Sequence, residues 1–196
     1  MLTSPLILDP ATGAQCGALR SLAALVETGR GLAEILIRDG LLRDIVKAAA
    51  HDHTHVILRA HAVLRAIVRE GPAEAQALMD GEVMKILRAQ IDDLRGEVAE
   101  TAMQTLNALV ASDRDIASAV MGGGMLEHLL GVLERGTQSP AYERSIAATL
   151  SDACDHGEDY VRATIDESDA VTLLWTAAAR NAEEVRSRRH FFCIIL

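Results

Sequence analysis

A Leu-x-x-Leu-type helical seed recurs four times along this chain, as Leu22-Ala23-Ala24-Leu25, Leu64-Arg65-Ala66-Ile67, Leu106-Asn107-Ala108-Leu109 and Leu150-Ser151-Asp152-Ala153. The steps between successive seeds are 42, 42 and 44 residues. Glycine keeps the same beat at Gly40, Gly81 and Gly124, and the next place in that series holds Ser168-Asp169. Two interleaved markers with one period define an internal repeat. A repeat in the low forties built only of helical segments specifies a stacked α-solenoid, in which each unit buries its apolar face on its neighbours. Such an array is a surface for holding other proteins.

Helical segments follow the beat. A run from Ala14 to Val26 ends near Gly29 and stands as a third helix without its first two. Leu32 to Ile37, Gly40, and Leu41 to Ala50 then form a short helix, a turn and a medium helix, with Leu42, Ile45, Val46 and Ala49 spaced three and four apart. After the polar loop His51 to His55, a long helix covers Val56 to Arg69. The unit repeats as Ala73 to Met79, Gly81, Val83 to Ile91 and Glu97 to Val110. It repeats again as Ile116 to Met121, the Gly122-Gly123-Gly124 turn, Met125 to Leu133 and Tyr142 to Ala153. A last pair, Tyr160 to Ile165 and Ala170 to Arg180, runs into Ala182 to His190, which is too polar to supply a full core face. The array starts and stops in mid-repeat, and open solenoid ends usually need a polar cap. Either partners cover those ends, with self-association among the possibilities, or the chain is part of something longer.

A three-helix unit with glycine between its short and medium helices resembles the armadillo repeat, over residues 12 to 182. The implied fold is an all-α, right-handed armadillo superhelix of about four repeats, followed by a basic tail over 183 to 196. Importin-type armadillo proteins grip extended basic peptides with an Asn at the third position of the long-helix seed. Here those positions hold Ala24, Ala66, Ala108 and Asp152, and the single tryptophan, Trp175, lies in the last medium helix. Import-signal binding of that style is not expected. In register the chain resembles the armadillo protein of the axonemal central pair, the sperm-associated antigen family of motile cilia and flagella. The matching residues are Leu6-Ile7-Leu8-Asp9, Leu32-Ala33-Glu34, Val63-Leu64-Arg65-Ala66, Ala75-Gln76-Ala77 and Leu150-Ser151-Asp152 with His156. That resemblance implies a structural component of a flagellar or cytoskeletal assembly with no catalytic motif.

Composition narrows the function classes. With 49% apolar but only 3% aromatic residues among 196, a helical core is readily built while aromatic stacking surfaces are not. All 28 acidic side chains precede residue 186, and three of the 19 basic ones, Arg186, Arg188 and Arg189, fall within residues 186 to 196. An acidic body repels polyanions, so nucleic-acid binding is excluded as an expectation. Cys16, Cys154 and Cys193 give neither a disulfide framework nor a zinc spacing, and no run approaches the ~18 continuous apolar residues of a membrane span. The start Met1-Leu2-Thr3-Ser4-Pro5 lacks a signal peptide's basic region. These features predict a cytoplasmic chain, at a flagellar axoneme, the cytoskeleton or a membrane surface.

The last four residues, Cys193-Ile194-Ile195-Leu196, fit a CaaX box whose terminal Leu specifies geranylgeranylation of Cys193. A prenyl chain alone anchors marginally, so Arg186, Arg188 and Arg189 with Phe191-Phe192 supply the second membrane signal. A prenylated adaptor that recruits a protein to a membrane is thus the alternative to the cytoskeletal reading. A chance ending explains the same four residues.

Other motifs read as structure. His51, His53, His55 and His61 lack a matching acid or thiol, so a solvated polar loop is expected rather than a metal site. Gly122-Gly123-Gly124 is followed by Met125-Leu126, not by the Lys-Ser/Thr of a phosphate loop. Ser151 and Asp152 point to different helix faces, which misaims a triad with His156. No enzyme, cofactor or metal is expected. If the long helices line a concave face, Arg20 and Ala24, then Arg59, Ala62, Ala66 and Arg69, then Thr101, Gln104 and Ala108, and finally Ala148, Asp152 and Asp155 face a ligand. The predicted groove runs from basic to acidic, and that gradient sets polarity more than affinity. The same residues also suit a plainly solvated face.

Overall fold

Three-fold alternation of short, medium and long helices organises the protein. The computed structural model describes residues 10–29, 31–79, 82–93, 95–135, 139–155 and 172. The elements are α1 (Pro10–Thr28), α2 (Leu32–Arg38), α3 (Leu41–Ala49), α4 (Thr54–Glu70), α5 (Pro72–Met79), α6 (Val83–Ile91), α7 (Gly96–Ser112), α8 (Arg114–Val120), α9 (Leu126–Arg135) and α10 (Pro140–Asp155). Among the described residues there is no strand. Helices of 7, 9 and 17 residues make the first full unit, α2 to α4. Helices of 8, 9 and 17 residues make the second, α5 to α7. Those of 7, 10 and 16 residues make the third, α8 to α10. α1 is a long helix standing before them, as the first seed predicts. It begins a turn earlier than expected because Pro10 occupies the first helical position, where a fixed φ and a missing N–H cost nothing. Gly81, the residues after 155 apart from Thr172, and thus the last predicted helices and the tail, lie outside the described residues.

Glycine turns the short helix into the medium one. Gly40 and Gly124, the same place in two repeats, both take φ near +80°, a region closed to most side chains. At Gly124 this kink falls within a wide helical turn, Met121–Met125. The carbonyl of Gly123 accepts a hydrogen bond from Arg88 Nη2 at 2.8 Å, which satisfies a group the kink releases. The start of α8 is closed by Asp113, whose carboxylate accepts from the backbone N–H of Asp115 at 2.8 Å and of Ile116 at 3.4 Å.

Two compact units divide the chain, Met1–Ile86 and Leu87–Leu196, and the division falls inside α6. In the first, α4 packs on α1, α3 and α5, and α2 packs on α1, α3 and α5. Val56, Ile57, Ala60, Val63, Leu64 and Ile67 form the buried stripe of α4, at the three-and-four spacing of a core-facing helix. In the second unit, α10 packs on α7, α8 and α9. Val98, Met103, Leu106, Leu109, Ile146 and Leu150 fill that core from the two long helices.

One correction to the composition argument concerns membranes. The stretch Arg114–Arg135 is long and apolar enough to cross a bilayer by length and composition. It is the α8–α9 pair, bent at Gly124 and more than half buried within the fold, so its apolar side chains serve the core of the second unit.

Candidate protein-binding site

Each long helix that buries one side leaves a polar strip on the other, and the predicted recognition residues fall on those strips. In the first unit, Arg20, Ala24 and Glu27 are exposed at three-and-four spacing along α1, while Arg59 and Arg69 are exposed on α4. Arg69 Nη1 lies 3.5 Å from Glu27 Oε1, joining the two helices by an exposed ion pair. Arg65, one turn before Arg69, is half-buried. Burial holds its guanidinium below the ordinary arginine range, the like charge of Arg69 lowers it further, and Glu27 opposes both. Two guanidiniums thus share one carboxylate, leaving this strip basic.

Arg65 is not among the groove residues read from the sequence, because it sits at the second position of the seed and the predicted groove takes the third position and its neighbours three and four away. Its i, i+4 relation to Arg69 was the available signal. One predicted surface residue is corrected: Ala66 is buried at 2% exposure and belongs to the core of α4. A methyl group carries no polarity to choose a face, and the packing of α4 against three neighbours claims it.

In the second unit, Gln104 is exposed on α7 and Asp155 at the end of α10, with Thr101, Ala108, Ala148 and Asp152 half-buried. The structure brings together a pair not foreseen from the sequence. Asn107 Nδ2 donates to Asp152 Oδ2 at 2.7 Å, from one long helix to the next. A charge-assisted bond of that length fixes both side chains. It leaves one amide hydrogen and the amide oxygen of Asn107 to seek other partners. Asn107 is one position from the seed place at which sequence comparison looked for an asparagine, so the chemistry was present one residue off register.

The remaining candidates separate. His53 donates its backbone N–H to His51 Nδ1 at 3.0 Å, the rings of His53 and His55 lie 5.7 Å apart, and His61 is fully buried in α4 instead of joining them. Among the described residues, no group of three or more His, Cys, Asp or Glu side chains is placed to hold an ion. Asp152 is engaged by Asn107, and His156 lies outside the described residues, as do Cys193, Arg186, Arg188 and Arg189.

A second polar cluster, at the end of α6, clamps the second unit. Asp92 Oδ1 accepts from Arg135 Nη2 at 2.9 Å, and His128 Nε2 lies 3.4 Å from Asp92 Oδ2. Beneath them the hydroxyl of Tyr142 donates to the carbonyl of Ile91 at 2.7 Å. Burial raises the Tyr142 hydroxyl well above the ordinary phenol range, the charge of Asp92 adds to the rise, and Arg135 opposes it. The phenol stays protonated and the bond stays made. This cluster joins the end of α6 to α9 and α10.

No family model and no curated protein matches the sequence. Solved structures do. A designed armadillo repeat protein superimposes with a TM-score of 0.66 at 21% identity, over 89% of this chain and 68% of that one. Computationally designed armadillo repeat proteins for modular peptide recognition give 0.65 at 22% identity, over 87% and 66%. A designed armadillo repeat protein in complex with the peptide (KR)4 gives 0.65 at 17% identity, over 97% and 93%. The chain therefore spans about two thirds of the length of the first two and nearly all of the third. At these identities the likeness carries fold alone, and that fold is the armadillo-type helical repeat.

Proposed function

We propose that this protein is a non-enzymatic armadillo scaffold that binds a segment of a protein partner on the polar strips of its long helices. The observation that carries the reading is the Asn107–Asp152 bond, an amide and a carboxylate held ready between two long helices whose opposite sides are core. A pre-ordered hydrogen-bonding pair loses little side-chain freedom on binding, and the amide groups it keeps are of the kind that pair with a peptide backbone. The basic strip formed by Arg59, Arg65 and Arg69 in the first unit supplies a charge signal that orients a partner. Peptide recognition in two of the structurally similar designed proteins supports the same use of the fold here.

The test is partner capture from the source cell with Asn107→Ala and with a paired Arg59→Glu, Arg69→Glu variant. Both should lose partners while staying folded by circular dichroism: the arginine variant at a nearly unchanged melting temperature, because an exposed ion pair such as Arg69–Glu27 contributes only ~0–1 kcal/mol, and Asn107→Ala at a lower one, because it also removes the hydrogen bond to Asp152. Recovery of the same partners at the same salt by both variants rules these strips out.

Within that reading, the short sequence matches to the axonemal central-pair family favour a flagellar or cytoskeletal assembly as the place of work. Localisation of the tagged protein away from axonemes and cytoskeleton rejects this placement. The second reading, a prenylated adaptor, rests on the Cys193-Ile194-Ile195-Leu196 ending beside Arg186, Arg188 and Arg189. It predicts that Cys193→Ser abolishes membrane partition and that intact mass shows a geranylgeranyl adduct. An unmodified Cys193 in a cell with active transferases removes it.

A further inference from the structure

Three arginines on the open side of α4 are not required by the repeat. Arg59, Arg65 and Arg69 stand 42 residues before Thr101, Asn107 and Ala111 on α7, which in turn stand 44 before Ser145, Ser151 and Asp155 on α10. Long helices of the same class therefore fold with uncharged or acidic side chains at these places. On α4 the arginines form one stripe with the half-buried Leu58 and Ala62, at three-and-four spacing. α1 packs on α4, and its exposed Arg20 occupies the repeat place that Ala62 holds on α4. Four arginines thus belong to this side of the first unit, in a protein whose net charge is -9.

Folding uses only part of this charge. Arg69 sits in the last turn of α4, where a cation meets the negative end of the helix dipole, and it pairs with Glu27. Glu70, the acid beside it, accepts instead from the backbone N–H of Gly31 at 3.0 Å. Arg20 and Arg59 form no ion pair among the described residues. Arg65 differs from both. It is half-buried and has already lost part of its water, and the like charge of Arg69 one turn on outweighs the attraction of Glu27. A carboxylate arriving here relieves that repulsion. It also meets a planar guanidinium whose stem the fold has already positioned, so the pairing costs less ordering than at a free arginine. A protein segment suits this face better than a nucleic acid does. The charge of the whole chain opposes a long polyanion, and neither α1 nor α4 contains a Phe, Tyr or Trp on which a base could stack.

We infer that the arginine stripe of α4, with Arg20 of α1, is the docking face for an acidic segment of a partner protein, rich in Asp and Glu, with Arg65 as its anchor. The inference rests on the scaffold reading above and gives the partner its charge. Arg65 contributes most because its pairing takes place partly away from water, while Arg20 and Arg59 act at the rim, where charge steers encounter more than it holds the complex.

The experiment uses the full chain and a fluorescein-labelled peptide of alternating Glu and Ala, read by fluorescence anisotropy at low ionic strength. Peptides with Gln or Lys in place of Glu, and a short oligothymidine, are the controls. Saturable binding of the Glu peptide alone is expected, weakening as salt is added. Arg65→Gln should weaken it roughly tenfold, as loss of a charge-assisted hydrogen bond does, and Arg59→Gln roughly threefold, as loss of an exposed pair does. Arg43→Gln, which removes an exposed charge from α3, and Asn107→Ala in the second unit should leave it unchanged. Arg59 is exposed, so its variant keeps the fold and the comparison holds even where circular dichroism shows Arg65→Gln to be unfolded. Absent saturation, an equal effect of Arg43→Gln, or tighter binding of the oligothymidine overturns the inference. So does a wild-type dimer in sedimentation that Arg59→Gln converts to monomer, since a second copy then occupies the face. If the Glu peptide fails to bind while the paired Arg59→Glu, Arg69→Glu variant still loses partners captured from the cell, this inference falls and the scaffold reading stands.

Discussion

Isomeric side chains at one repeat position offer a sharp test of the packing argument. Ile67 and Leu25 lie 42 residues apart, in the same compact unit, on long helices of the same class. Replacing either by Ala removes three carbons. Ile67 is wholly shielded from water, so its loss forfeits about 2.4 kcal/mol of transfer free energy at ~0.8 kcal/mol per methylene. A closed cavity between α4 and its neighbours adds to this, for a total of about 3–5 kcal/mol. Leu25 keeps 54% of its surface in water, so under half of the transfer term applies and the hole opens to solvent. About 1 kcal/mol is expected for Leu25→Ala on the same per-methylene scale. Urea unfolding followed by far-ultraviolet circular dichroism measures both. The midpoint of Ile67→Ala should fall far below that of Leu25→Ala, with the wild type close above the latter. Equal losses refute the reasoning, because they mean that Leu25 is covered as fully as Ile67.

Tyr142→Phe should cost about 1 kcal/mol, and more if the Ile91 carbonyl is left without a donor, measured as a lower thermal midpoint. Gly124→Ala should destabilise by ~1–2 kcal/mol through a left-handed φ that an L side chain resists, whereas Gly122→Ala, with open space at its Cβ position and no such φ, should not. Side-chain hydrogen bonds from Arg95 hold the Asp93 carboxyl below the ordinary carboxylate range despite opposing burial. The stability it adds is present above about pH 4, the unfolded carboxylate value, and is lost as pH falls through its lower folded value. Melting between pH 7 and pH 2 should show Asp93→Asn lacking that part of the acid loss, and an unchanged profile counts against the pairing.

Periodicity alone carried the repeat, the order of short, medium and long helices, and the place of their turns. Leucines at 42-residue steps and glycines beside them act through local geometry: helix period for Leu64 and Leu106, a left-handed φ for Gly40 and Gly124. Such features depend on near neighbours in the chain, so they can be read without the fold. Arg59, Arg69, Gln104 and Asp155 were also legible as exposed, because charge and length keep their ends in water whatever packs beneath. Tertiary structure alone decided the rest. Ala66 has no chemistry that selects a face, and only the helices around α4 put it inside. Asn107 meets Asp152 because α7 and α10 lie side by side, a relation 45 residues apart in sequence. Leu25 and Ile67 occupy one repeat position with like side chains, yet one faces water and the other does not. Burial belongs to the neighbour that covers a residue, and the spacing of the residue itself does not reveal whether that neighbour is there.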